Sequence, residues 1–329
     1  MANTRKKLLL PSTMARAGWD VLKKRRDVEA ISYDGSMPTA AFHALLADAD
    51  GVALSLTPFG EAELKAAPKL RAVARHGVGY DAVDVAALTR RGIPLMVTGT
   101  ANSPSVAEQA LCFMLALAKR GARLHEMVRG GHWADRLGEE LPVDLFGKTL
   151  LVIGFGRIGT RIARVCLALG MTVRVYDPYV AASPITAAGC VPESDLDAAL
   201  PRADFVTIHC PKTPETVGMF NATRLARMKS TAYLVNTARG GIIDETALHK
   251  ALTTGVIRGA GLDVFEREPI APDNPLPSLP NVLTAPHMAG VTKESFDRMA
   301  TAVANNLLDV LDGKPNPDHV VNKEVLAHR

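Results

Sequence analysis

The chain has 329 residues, 47% of them hydrophobic, with 38 basic against 34 acidic side chains and a formal net charge of +4. That length suggests about two domains, each able to bury its own core. The mild, dispersed charge argues against a nucleic-acid binder while suiting anionic ligands, and no apolar run approaches membrane-spanning length.

In chain order, the first hundred residues alternate short apolar strands with helical stretches. Strands are expected at 7–10, 51–54, 72–74 and 94–97, and helices at 15–24, 38–46, 61–66 and 83–90. This is an α/β unit with a parallel sheet and no glycine fingerprint. Residues 99–104, small and polar with a Pro, read as a linker, and Ser105-Val106-Ala107-Glu108 reads as a capping box opening the next helix. That helix, 106–118, is too apolar to face water on many sides, so it lies between lobes or against a second subunit. Helical character resumes to Val128 until Gly130-Gly131-His132-Trp133 breaks it. Trp133 either packs or serves an interface on an exposed arm.

From Gly147 onward the pattern becomes repeated βα units, with strands at 149–153, 172–176, 205–208, 232–235, 258–262 and 282–284. Helices fill the gaps, notably at 222–228 and 245–253. Six such strands match a doubly wound sheet, whose ligands lie at the carboxyl ends of the strands. A last helix at 293–311 returns the chain to the first lobe before the Gly- and Pro-rich stretch 313–317.

The strand at 149–153 runs into Gly154-Phe155-Gly156-Arg157-Ile158-Gly159, three spaced glycines at a strand-to-helix turn. Gly154 can take the turn, Gly156 has no side chain to keep a pyrophosphate from the backbone, and Gly159 lets helix and strand pack closely. The helix start then offers free N–H groups and partial positive charge to the phosphates. Taken alone, the motif is equally compatible with a tight turn and nothing more. The second strand ends in Asp177, 18 residues past Gly159. A carboxylate there can accept from ribose hydroxyls and repels a 2′-phosphate, which favours NAD over NADP. Asp177-Pro178 as an ordinary turn after a strand is the lesser alternative, given the strand–glycines–helix–strand–acid order.

Cys112, Cys166, Cys190 and Cys210 are too scattered for a zinc site or a disulfide framework, and the nine histidines form no H-x-x-x-H or H-E-x-x-H pair. Reduced thiols and no metal are therefore expected. The basic Arg5-Lys6-Lys7 precedes only Leu8-Leu9-Leu10 before Pro11, too short for a secretion signal. We expect a cytoplasmic protein with no membrane partner.

Polar residues directly after the later strands are the candidates for chemistry: 236–241, Asp263, Glu268-Pro269 and 286–290. Taken singly, an Arg after a strand is usually a solvated charge and a His a structural hydrogen bonder. The ordered set says more. Asn-Thr-Ala-Arg-Gly-Gly at 236–241, Leu-Asp-Val-Phe-Glu-Arg-Glu-Pro at 262–269 and Ala-Pro-His-Met-Ala-Gly at 285–290 resemble the three signatures of the D-isomer-specific 2-hydroxyacid dehydrogenases. His76-Gly-Val-Gly-Tyr-Asp81 resembles that family's substrate-carboxylate loop, and Gly147-Lys148-Thr149 its entry into the nucleotide lobe.

The resemblance implies two Rossmann-like doubly wound parallel-sheet lobes, an NAD-binding domain at 103–289 inserted in a flavodoxin-like substrate-binding domain at 1–102 and 290–329. It implies a homodimer through 105–145 and lobes that close over the crevice. Reducing a 2-oxo acid needs a proton donor for the forming alkoxide, a role for His287, with Glu268 orienting the imidazole. Arg239 offers a planar fork to the substrate carboxylate and carbonyl oxygen, which Lys could not reproduce. Gly77, Val78 and Gly79 can present backbone N–H groups to the same carboxylate. Asp263 would accept from the nicotinamide carboxamide. The remaining cofactor set it implies is Cys210, Thr237, Ala238 and Gly290, together with Arg239 and His287 and the turn residues Gly154, Gly156, Arg157, Ile158, Gly159 and Asp177. Glu266 and Arg267 read as solvated loop charges, His209 as packed or cofactor-adjacent, and His76 as lining the substrate entrance or capping a loop.

Substrate choice is less constrained. Phosphoglycerate dehydrogenases comparable to this chain place an Arg where Leu54 stands, and the chain is not expected to carry a C-terminal regulatory domain. A small unphosphorylated acid such as glyoxylate or hydroxypyruvate is therefore favoured, with D-3-phosphoglycerate as the alternative. An NADH-sensing corepressor-like binding protein is the alternative from another class. Formate enzymes of the superfamily carry an amide at the Glu268 position, which counts against that activity.

Overall fold

The computed structural model describes residues 5–138 and 140–328. It divides into two compact units, one taking the chain up to Asn102 and again from Gly290, the other spanning Ser103–Ala289. The first unit holds β1 (Lys6–Pro11), β2 (Val28–Tyr33), β3 (Gly51–Leu54), β4 (Ala72–Arg75) and β5 (Leu95–Met96). These pair in parallel in the order β2-β1-β3-β4-β5. Leu8 and Leu10 join one apolar layer and Leu9 the other, so β1 is buried on both faces. That is why it reads as an unbroken apolar run. The Lys293–Leu311 helix covers one face with Ala300, Val303, Ala304 and Leu307, a helical i, i+3, i+4, i+7 stripe. Thr292 caps its start by accepting from the Ser295 N–H at 3.1 Å.

The second unit carries β6 (Thr149–Ile153), β7 (Thr172–Tyr176), β8 (Val191–Glu193), β9 (Phe205–Ile208), β10 (Tyr233–Asn236), β11 (Gly259–Leu262) and β12 (Val282–Thr284). All pair in parallel, in the order β12-β11-β10-β9-β6-β7-β8. Leu150 and Val152 point into one core layer, Leu151 and Ile153 into the other. The Ser103–Lys119 helix lies against the sheet, where a Cβ on Gly261 would come within 2.7 Å of the Phe113 Cβ.

Four expectations are corrected. The sheet of the second unit has seven strands, because β8 pairs with the edge of β7, and β2 is a strand the apolar pattern did not reveal. The helix begins at Ser103, with Pro104 in its first turn, so Ser105 lies inside it rather than capping it. Glu266 is not merely solvated: its carboxylate accepts from the Glu245 N–H at 3.0 Å while Glu245 accepts from the Glu266 N–H at 2.5 Å. Among the described residues all four cysteines are free, no helix is long and apolar enough to cross a membrane, and no cluster of His, Cys, Asp and Glu could hold a metal.

Candidate active site

In the second unit the last residues of all seven strands fall in one register row: Glu193, Tyr176, Ile153, Ile208, Asn236, Leu262 and Thr284. Each chain then turns off at the same level. The ladder continues one step, with Gly154 donating to the Tyr176 carbonyl at 2.9 Å and His209 to Ile153 at 2.8 Å. Asp263 likewise donates to Asn236 at 3.0 Å, and Ala285 to Leu262 at 2.9 Å. The strand order reverses between β6 and β9, the place where sheets of this kind leave a ligand crevice.

At that crevice the three glycines do different things. Gly154 has φ +91°, and a Cβ there would lie 2.8 Å from the Cys210 nitrogen. A Cβ on Gly159 would stand 1.9 Å from the Gly154 carbonyl oxygen, whereas one on Gly156 would meet nothing within 4 Å. The first and last are therefore packing requirements, while Gly156 leaves the backbone open beside the Gly159–Ala168 helix. Ile158, at the cap position of that helix, supplies no side-chain acceptor. Open backbone at a helix start suits a diphosphate. Asp177 braces the turn, its carboxylate accepting from Phe155 N–H at 2.7 Å and Tyr179 N–H at 2.9 Å. Arg157 follows Gly156 on the exposed side of this turn.

Beside the switch point, the Cys210 thiol is pushed up to about 11 by burial, with the Asp177 charge adding to the effect. His209 is driven down to about 3 by burial; its Nε2 pairs with the Thr207 hydroxyl at 2.9 Å. Among the described residues the His209 Nδ1 and the Thr237 Oγ1 are buried polar atoms without a partner. Two such orphans at neighbouring strand ends fit a site that binds a polar group. Open backbone at Gly156, the Asp177 carboxylate and these orphaned atoms together fit a dinucleotide.

Arg239 follows β10 in a turn stapled by Asn236. The Asn236 side chain accepts from the Ala238 N–H at 3.0 Å and donates to the Arg239 carbonyl at 2.9 Å. After β11, Asp263 is 1% exposed and accepts from the Met288 and Ala289 N–H groups at 2.8 and 2.9 Å. Burial raises its carboxyl above the usual range. Its carbonyl also takes the His287 N–H at 2.8 Å, so Asp263 clamps the loop that holds His287 at φ +55°. The His287 Nδ1 sits 2.6 Å from Glu268 Oε2, while Glu268 Oε1 accepts from the Phe265 N–H at 3.0 Å. Both side chains remain partly open to solvent.

Arg239, Asp263, Glu268 and His287 thus gather behind three neighbouring strands of the second unit. Gly77, Val78 and Gly79 follow β4 in the first unit, where Gly77 has φ +135°, and Gly290 also belongs to that unit. His76 packs edge-on against Phe296 at 4.8 Å and is lowered to about 4 by burial, with Arg75 beside it adding to the effect. Sequence reasoning missed the stapling by Asn236 and the bracing by Asp177. An Asn closing an apolar strand one residue before a turn was the available signal for the first.

Residues 111–289 match the model of the D-isomer specific 2-hydroxyacid dehydrogenase NAD-binding domain. A glyoxylate reductase of Korarchaeum cryptofilum is 42% identical over 285 residues, covering 86% of this chain and 85% of that one. A D-3-phosphoglycerate dehydrogenase of Synechocystis is 37% identical over 95% of this chain, which spans only 55% of that relative's length. A crystal structure of D-lactate dehydrogenase from Aquifex aeolicus with NAD and lactic acid superposes with a TM-score of 0.83 at 29% identity, covering 96% of this chain and 99% of that one. The chain belongs to the D-isomer-specific 2-hydroxyacid dehydrogenases, oxidoreductases with an NAD-binding domain.

Proposed function

We propose that the chain reduces small unphosphorylated 2-oxo acids, glyoxylate or hydroxypyruvate above all, to D-2-hydroxy acids, with NADH as partner. The reading rests on one geometry: the 2.6 Å pairing of His287 Nδ1 with Glu268, behind the strand row that also carries Arg239. With Nδ1 engaged, Nε2 is the nitrogen left to give a proton to the carbonyl oxygen as it becomes alkoxide. Glu268 keeps the ring oriented through that bond. The Arg239 fork grips the substrate carboxylate and polarises the carbonyl. Bound NADH supplies the hydride to C2.

On this reading, unit 103–289 binds NAD through its glycine turn, Asp177, Asp263 and the backbone near Cys210, Thr237 and Ala238. Gly77, Val78 and Gly79 of the other unit offer N–H groups to the substrate carboxylate. The glyoxylate preference is supported by the Korarchaeum relative's name and by Leu54, which is fully buried and apolar where a phosphate-binding Arg would stand. Arg75, the nearby cation, donates to the Leu54 carbonyl at 3.1 Å. The protein is proposed to be a cytoplasmic homodimer built on the apolar arm of the second unit.

NADH oxidation with glyoxylate, hydroxypyruvate, pyruvate and 3-phosphohydroxypyruvate tests the assignment. The first two should turn over fastest; preference for the last would make it a phosphoglycerate dehydrogenase. No turnover with any of them would favour an NADH-sensing binding protein. His287→Ala should lower kcat by about 10²–10⁴-fold with NADH binding retained. Undiminished turnover would remove His287 as the acid.

A further inference from the structure

We infer that Asn236 is the positioning residue for Arg239, setting the anion-gripping fork in register with the His287–Glu268 pair. The inference rests on the proposed role of Arg239 and goes beyond it. The Arg239 guanidinium donates to the Ala238 carbonyl at 2.7 Å, so the backbone of this turn sets where the fork starts. Here one buried side chain holds that backbone. Asn236 is 1% exposed, and its amide takes the Ala238 N–H at 3.0 Å and gives to the Arg239 carbonyl at 2.9 Å. Its main-chain carbonyl meanwhile receives the Asp263 N–H at 3.0 Å, so the staple is itself tied to the next strand.

The far side of the turn is fixed by contact. A Cβ on Gly240 would lie 1.7 Å from the Phe265 carbonyl oxygen and 2.7 Å from the Glu266 nitrogen, so backbone rests on backbone. The Phe265 N–H in turn binds Glu268 Oε1, whose partner oxygen holds His287. The reciprocal Glu245 and Glu266 bonds keep this second stretch still. Arg239 is thereby connected to the acid–base pair through Asn236, Gly240, Phe265 and Glu268, without a direct bond between the two functional groups being needed.

The test compares wild type with Asn236→Ala and the isosteric Asn236→Asp, which keeps the acceptor for Ala238 and loses the donor to Arg239. Three quantities are read: NADH affinity by fluorescence, oxamate binding to the NADH complex, and kcat with KM for glyoxylate. For Asn236→Ala we expect NADH affinity within twofold of wild type, oxamate binding and glyoxylate KM weakened about tenfold or more, and a smaller fall in kcat. Asn236→Asp should fall between the two. Wild-type oxamate affinity and KM in either folded variant would overturn the inference, as would equal losses of NADH and oxamate binding. Wild type that binds no oxamate and reduces no 2-oxo acid would instead remove the proposed role of Arg239, and the inference with it.

Discussion

At the residue scale, the functional candidates divide by what their chemistry requires of sequence. Arg239, Glu268 and His287 were legible as candidates because each is a chargeable side chain in the loop that follows an apolar strand, in an order that resembles a known signature. The bracing role of Asp177 was not, since a side-chain bond to nearby backbone leaves no spacing pattern to read, and Asn236 was missed although its place at the end of an apolar strand was a signal. Burial adds a pH effect that only coordinates reveal. His76, lowered to about 4 against its ordinary 6.5, stays neutral in the fold where the unfolded chain would take up a proton. Its contribution is therefore fully present above pH 6.5 and lost as pH falls from 6.5 toward 4, about 3 kcal/mol at most. Urea midpoints measured across that window should decline. His76→Phe, which keeps an aromatic ring against Phe296, should flatten the decline, and an unchanged slope would assign it to other groups.

Among elements, strands buried on both faces announced themselves and edge strands did not. β6 is apolar from Leu150 to Ile153 because a core layer lies against each of its faces. β8 is three residues with Pro192 in the middle, tolerated because only β7 needs its hydrogen bonds. β2 alternates imperfectly, with Val28 and Tyr33 buried and the residues between them partly or fully exposed. The Lys293–Leu311 helix was legible at its observed bounds, whereas its Thr292 cap came only from the structure. That cap is a measurable part of the first unit's stability. Thr292→Ala should cost about 1 kcal/mol and lower Tm by a few degrees. A Tm unchanged within error would show that the Ser295 N–H finds another acceptor.

For the whole molecule, the double crossing of the chain between units was suggested by the linker-like stretch 99–104 and by a last helix expected to return the chain to the first lobe. Assembly is a matter of surface. Val128, Trp133, Leu137, Leu141 and Phe146 are all more than half exposed within one stretch of the second unit, an unusual concentration for a monomer. If they cover one another in the proposed homodimer, replacing Trp133 and Leu137 together by Asp should give a monomer by light scattering. A mass unchanged from wild type would take this stretch out of the interface. The anchoring at the second crossing carries a further implication. Asp263 grips Met288 and Ala289 from one side, while the Ser295 hydroxyl holds the Gly290 carbonyl at 2.8 Å on the other. Asp263, Glu268 and His287 all belong to the same unit, so the imidazole and its carboxylate partner are held together within one folded body.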